Sequence, residues 1–127
     1  MKKKVLVVDD EKEIVYFLEH FLKRLKLCVS IAQSAKAAVE CCQHEMPDCV
    51  FLDILMPDKS GLVVLKELKA LNPRLKVIMI TGKDDKESQG LAKKYGALDY
   101  ITKTLDLSEL ASKVEKYLNE NYENRLP

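Results

Sequence analysis

Short apolar runs alternate along the chain with stretches whose apolar residues recur at helical spacing. Val5 to Val8 is rich in β-branched residues, and Ile14, Phe17, Leu18, Phe21, Leu22 and Leu25 then follow a helical period. Cys28 to Ala32 reads as a second strand, and Ala35, Ala38, Val39 and Cys42 stripe a second helix, with Ser34 as its N-cap and Pro47 beyond its end. Cys49 to Leu52 is the third strand, closed by Asp53, and a loop with Pro57 and Gly61 leads to a helix striped by Leu62, Leu65, Leu68 and Leu71 and stopped by Asn72-Pro73. Val77 to Ile80 is the fourth strand, ended by Thr81-Gly82, and a charged, weakly amphipathic helix runs from near Asp84 to Tyr95, with Gly96 as its cap. Ala97 to Thr102 is the fifth strand, ended by Lys103. Leu107, Leu110, Val114, Tyr117 and Leu118 stripe the last helix, with Asp106 and Glu109 spaced as a capping box.

Strict alternation of strand and helix predicts a parallel sheet with helices on both faces. Strands one, three and four are nearly continuous apolar runs, as central parallel strands should be. The runs differ in sequence, so there is no internal repeat. A length of 127 residues fits one domain, taken as residues 1–121 with 122–127 as a tail or the start of a linker. Composition adds mostly exclusions. A net charge of +1 gives no basic surface for nucleic acid or membrane, and no basic recognition helix is visible. No apolar run approaches a membrane span. The basic start followed by Val5 to Val8 is too short for a secretory signal and ends at Asp9-Asp10, so a cytoplasmic location is expected. Cys28, Cys41, Cys42 and Cys49 form no C-x-x-C pair, and His20 and His44 complete no zinc spacing; reduced, mostly buried thiols and surface histidines are expected.

The chemistry lies where the apolar runs stop. Asp9-Asp10, Asp53, Thr81 and Lys103 all follow carboxyl ends of parallel strands and therefore share one sheet edge. In open α/β sheets ligands bind at that edge, where strand order reverses. With the order 2-1-3-4-5, Asp9, Asp10 and Asp53 converge at the reversal. Clustered carboxylates repel and call for a cation. Oxygen ligands of this kind suit Mg²⁺, which keeps waters for a substrate phosphate. Lys103 and Thr81 supply a positive charge and a hydroxyl donor for a phosphoryl group, and one carboxylate serves as nucleophile. Taken singly, each residue has an ordinary reading: Asp10 as a helix cap, Asp53 as a turn cap, Thr81 as a loop hydroxyl, Lys103 as a surface charge. Their joint placement favours a site.

With these residues in place, the chain resembles the response-regulator receiver domains of two-component signalling, within the chemotaxis-regulator-like superfamily. The matching stretches are Val5 to Glu11, Phe51 to Gly61, Ile80-Thr81-Gly82 and Gly96 to Lys103, and the resemblance spans about Lys4 to Leu118. It implies a doubly wound, flavodoxin-like fold with five helices. It implies that Asp53 takes a phosphoryl group from a phosphohistidine on a sensor histidine kinase or histidine phosphotransfer protein. Asp10 would bind Mg²⁺ directly, Asp9 largely through water, and Asp53 and the backbone carbonyl of Leu55 would complete the protein ligands. Thr81 and Lys103 would contact phosphoryl oxygens. Tyr100 matches the switch aromatic that turns inward as Thr81 moves, and helix 4, strand 5 and helix 5 form the readout face. The implied partners downstream are an effector protein or a fused output domain, with phosphorylation-dependent dimerisation as a further state. The chain then reads either as the N-terminal receiver of a longer regulator or as a stand-alone regulator.

Two departures from the family pattern have consequences. The proline that usually follows the lysine in a cis bond is Thr104 here. A cis bond at a non-proline costs about 2.5–4 kcal/mol, so a trans bond is expected. Leu55 offers no polar side chain to position water and Lys83 adds a cation, from which slow self-dephosphorylation is expected. The enzymatic alternative is a metal-dependent phosphatase with an aspartyl nucleophile. Such enzymes typically carry a second acid two residues later, where this chain has Leu55. A third alternative is a receiver-like scaffold that is never phosphorylated. Lys83, Lys86, Lys93 and Lys94 read either as a docking patch or as a solvated face.

Overall fold

The computed structural model describes residues 2–82 and 86–118. Ten elements alternate along them: β1 (Lys4–Val8), α1 (Lys12–Arg24), β2 (Cys28–Ala32), α2 (Ala35–His44), β3 (Cys49–Leu52), α3 (Gly61–Leu71), β4 (Lys76–Thr81), α4 (Lys86–Lys94), β5 (Asp99–Thr102) and α5 (Leu107–Leu118). All pairings are parallel, in the order β2-β1-β3-β4-β5. The strand order therefore reverses between β1 and β3, with Val8 paired to Leu52.

The two-residue repeat of the strands sorts their side chains between two cores. Leu6, Val8, Val50, Leu52, Val77 and Met79 pack with α2, α3 and Ala92 of α4. Val5, Val7, Cys49, Phe51, Ile78 and Ile80 pack with α1 and α5 on the other side. Burial on both faces explains the unbroken apolar runs of β1, β3 and β4. The edge strand β2 alternates between exposed and half-buried positions until Ala32. Each fully buried Leu or Ile contributes about 1.5–3 kcal/mol from apolar transfer.

The caps follow local chemistry. The Ser34 hydroxyl accepts from the Ala37 amide at 3.1 Å. Asp106 accepts from the Ser108 and Glu109 amides at 2.8 and 3.2 Å. Gly96, at φ +101°, ends α4 in the left-handed region. Gly61 is required for a different reason: a Cβ there would stand 1.9 Å from the backbone oxygen of Asp53. The amide of Gly61 donates to Ile54 O at 2.7 Å, so the β3–α3 loop folds directly back onto the end of β3.

Several expectations change. Residue Glu11, not Asp10, occupies the N-cap of α1, and its side chain makes no capping bond. β5 begins at Asp99, because the Ala97 amide is used by Ala92 O at the end of α4 and the Leu98 amide by Val77 O. Leu71 and Phe17 are exposed, whereas Val64 and Val15 are buried. Apolar residues spaced strictly by three drift around a helix and are about 180° out of phase by the ninth residue, which carries Leu71 away from the stripe begun by Leu62. All four cysteines are free; Cys42 and Cys49 are buried and Cys41 half-buried, but Cys28, at the start of the edge strand, is exposed. His20 and His44 are exposed on their helices. Lys83, Asp84 and the tail from Asn119 lie outside the described residues, so the roles read for them and the 121/122 boundary are not addressed by the structure.

Candidate functional site

β1 and β3 deliver the acidic residues side by side. The Asp9 amide donates to Ala32 O at 3.1 Å, and the Asp53 amide donates to Val8 O at 3.0 Å, so both acids continue the ladder by one residue. Asp9 and Asp53 are buried, at 2% and 1% exposure, and Asp10 beside them is exposed. One carboxylate oxygen from each of Asp9, Asp10 and Asp53 lies within 4.8 Å of the others. That spacing and all-oxygen chemistry fit a hard divalent cation such as Mg²⁺. Asp9 Oδ1 accepts from the Glu11 amide at 3.0 Å, and Asp53 Oδ1 accepts from the Leu55 amide at 3.2 Å. These local turns fix the carboxylates and bring the Leu55 backbone to the same place, while the Leu55 side chain points into solvent.

Lys103 enters from the end of β5. Its amide donates to Thr81 O at 2.9 Å, which anchors it to β4. Its ammonium donates to Asp53 Oδ2 at 3.0 Å and lies 2.9 Å from Asp9 Oδ2. Peptide bonds among the described residues, including Lys103–Thr104, are trans, as expected, and Lys103 still reaches the acidic cluster. Leu105 takes a positive φ of 46° in the turn that follows, and Thr104 sits 3.0 Å from Thr102 hydroxyl to hydroxyl.

Burial pushes the Asp9 carboxyl up to about 6, with Asp53 adding to the rise and the Glu11 amide and Lys103 opposing it. Burial works to lower the Lys103 ammonium, but Glu11, Asp9 and Asp53 outweigh it and hold the group above the ordinary lysine range. The site thus holds a fixed cation against crowded carboxylates, an arrangement suited to an additional cation and to an anion bridging both.

Thr81 is fully buried at the end of β4, one strand from Asp53. Gly82 is exposed, and a Cβ there would meet only Lys103 Cδ, at 3.9 Å, so the approach is open. Tyr100 packs against the core on the α2–α4 side with its hydroxyl buried. The expected residues Asp9, Asp10, Asp53 and Lys103 are therefore brought together, Thr81 flanks them, and Tyr100 lies on the neighbouring strand.

Two residues without a role in the sequence reading take part. Glu11 Oε1 is 2.6 Å from Lys103 Nζ. The only sequence signal was an acid directly after the Asp pair. Asp99 accepts from Lys113 Nζ at 2.6 Å, Tyr117 Oη at 2.8 Å and the Tyr100 amide at 2.8 Å, tying β5 to α5. Burial works to raise its carboxyl, but Lys113 and the other donors hold it below the ordinary value. Its partners lie 14 and 18 residues away, at no spacing that a strand start reveals.

The comparisons with known proteins agree with this fold. The family model described as response regulator receiver domain matches residues 5–115. A CheY-like response regulator receiver domain protein from Methanospirillum hungatei JF-1 is 28% identical, with a TM-score of 0.92, over 98% of this chain and 99% of that one. A BeF3-activated DrrB receiver domain is 30% identical, with a TM-score of 0.87, over 94% of this chain and all of the other (100%). NtrX from Brucella abortus is 31% identical, with a TM-score of 0.89, over 98% of this chain but 28% of its own length.

Proposed function

The chain belongs to the receiver-domain family of response regulators, and from that membership we propose that Asp53 is its phosphoacceptor. The observation that carries the reading is the meeting of the Asp9, Asp10 and Asp53 carboxylates with the Lys103 ammonium at one sheet edge. An oxygen of Asp53 attacks the phosphorus of a phosphohistidine on a sensor histidine kinase or phosphotransfer protein. The P–N bond breaks, the imidazole leaves as the neutral ring with a proton taken up at nitrogen, and Asp53 becomes an acyl phosphate.

Asp10 would hold Mg²⁺ directly and Asp9 largely through water, with Asp53 and the Leu55 carbonyl completing the protein ligands. Once bound, the ion supplies charge neutralisation between the carboxylates and the incoming phosphoryl oxygens. Lys103 orients and neutralises the phosphoryl group, and Thr81 donates its hydroxyl to it. Exposed Gly82 leaves room for the donor. Phosphorylation adds charge and acceptor oxygens at Asp53, which offers the Thr81 hydroxyl a charged acceptor in one state only and biases the packing of Tyr100. The face of α4, β5 and α5 then reports the change to an effector protein or a fused output domain, and a phosphorylation-dependent dimer is one form of that output.

The module is not a turnover enzyme in this reading. Leu55, two residues after Asp53, supplies no second acid for a phosphatase and no polar group to hold a water, so the acyl phosphate persists. Among the described residues no helix is long and apolar enough to cross a membrane. A cytoplasmic location and the absence of direct nucleic-acid contact belong to the same proposal. Labelling with a small acyl phosphate, with and without Mg²⁺, tests it. Incorporation is expected to require Mg²⁺ and to vanish in Asp53→Asn. Equal labelling of the two chains would overturn the assignment.

A further inference from the structure

The shortest contact at the site belongs to Glu11. Its Oε1 is 2.6 Å from Lys103 Nζ, against 2.9 Å for Asp9 and 3.0 Å for Asp53. A lysine ammonium has three N–H donors, so three carboxylates match its whole capacity. Glu11 also stands at the N-cap of α1 without capping it. Side chains at that position ordinarily turn back to the first helical amides. Here the Glu11 amide is held by Asp9 Oδ1 at 3.0 Å, and the side chain reaches across 92 residues of sequence to Lys103. The three acids differ in burial. The side chains of Asp9 and Asp53 are 3% and 1% exposed, and that of Glu11 is 59% exposed.

We propose that Glu11 is a positioning residue that holds Lys103 before phosphoryl transfer and yields it to a phosphoryl oxygen on Asp53, so that the Glu11–Lys103 pair sets how readily the site accepts the group. The inference rests on the phosphoacceptor reading of Asp53. A phosphoryl group brings new acceptor oxygens to Lys103, whose donors are already committed. One carboxylate must let go. Asp53 gives up its carboxylate charge in becoming the acyl phosphate, yet the group it gains brings more acceptor oxygens than that one contact. Asp9 is buried, so water replaces its contact with Lys103 poorly. Releasing Glu11 returns an exposed carboxylate to water, which costs little. Glu11 therefore competes with the phosphoryl group and favours the unmodified state by about the worth of one exposed ion pair, roughly a threefold effect.

The test uses the whole chain with Mg²⁺, comparing the unsubstituted protein with Glu11→Gln and Glu11→Asp. Beryllofluoride binding followed by amide NMR gives the equilibrium, and initial labelling by acetyl phosphate below saturation gives the rate. Glu11→Gln is expected to lower the half-saturating beryllofluoride concentration about threefold and to raise the labelling rate similarly. Glu11→Asp keeps the charge but is one methylene shorter, so it loses the contact and is expected to follow Glu11→Gln. In a Lys103→Met background the Glu11→Gln gain is expected to disappear. A Glu11→Asp chain that behaves like the unsubstituted one while Glu11→Gln gains would point to general repulsion of the anion and overturn the proposal. So would a gain accounted for wholly by tighter Mg²⁺ binding, or one that survives in the Lys103→Met background. Labelling with identical kinetics in all three chains overturns this inference alone. Absence of labelling in the unsubstituted chain overturns the phosphoacceptor reading and this inference with it.

Discussion

The two edges of the sheet carry the same kind of contact and put it to different use. At the amino edge Lys4 Nζ lies 2.6 Å from Glu45 Oε1, and at the carboxyl edge Lys103 Nζ lies 2.6 Å from Glu11 Oε1. The distances are the same, but the surroundings are not. The Lys4 and Glu45 side chains are 46% and 60% exposed, whereas Lys103 is 14% exposed and also faces two buried acids. Water screens the first pair from both sides and the second only from the Glu11 side, because Lys103 is enclosed with Asp9 and Asp53. Contact length therefore says little about what a pair does; the burial of its neighbours decides whether charge is stored at the site or merely solvated.

The largest expected effect comes from the backbone that builds the carboxyl edge. Gly61→Ala places a Cβ 1.9 Å from Asp53 O, and the backbone atom cannot swing aside. A loss of about 3 kcal/mol in urea unfolding is expected, together with weakened Mg²⁺ binding. Wild-type stability in that variant would show the loop to be free of β3. Removing the cations separates the two edges directly. Lys103→Met leaves two buried carboxylates facing each other and is expected to cost about 2–3 kcal/mol without metal, with much of it restored by Mg²⁺. Lys4→Met should change stability far less, and equal losses would remove the distinction drawn above.

The pH dependence should carry opposite signs at the two edges. Asp9 in the folded chain titrates near 6, above its ordinary 3.8, so its burial penalises the metal-free fold fully above pH 6. That penalty is relieved as pH falls through about 6 toward 4, because the folded state then binds more protons than the unfolded one. Metal-free stability measured across this window should carry a rising contribution toward acid that Asp9→Asn removes, and Mg²⁺ binding should weaken over the same range. Glu45 is held below its ordinary value by Lys4, so its favourable contribution is present above that value and lost as pH falls through the lowered one. The smallest effect concerns the thiols. Burial pushes Cys42 up to about 11 and Cys49 up to about 12. Alkylation followed by mass spectrometry should find Cys28 first, Cys41 more slowly, and the other two only on unfolding.

What the sequence reveals tracks what has a period. Apolar runs such as Val5 to Val8 and Cys49 to Leu52 announce buried strands, and the first polar residue after each marks the shared edge. Asp9, Asp53, Thr81 and Lys103 were legible for that reason. Glu11 was not, since an exposed acid at a helix start has many ordinary roles and its partner lies 92 residues on. Asp99 was hidden in the same way, because its function is to link β5 to α5 through Lys113 and Tyr117. Cys28 misled because its neighbours are apolar, and only the strand order makes β2 an edge. Ala97 looked like the start of a strand until its amide was needed to finish α4.

The alternation that sorts side chains between the two cores also acts as an address. Thr81 has the same parity on β4 as Val77 and Met79, which pack on the α2–α4 side, and Tyr100 packs on that side too. A pull on the Thr81 hydroxyl is thereby delivered to one storey of the molecule, while Phe51, Ile78 and Ile101 anchor the other. In the proposed switch, one half would work as rotor and the other as stator. Moving the hydroxyl a single place along β4 would send the message to the wrong floor.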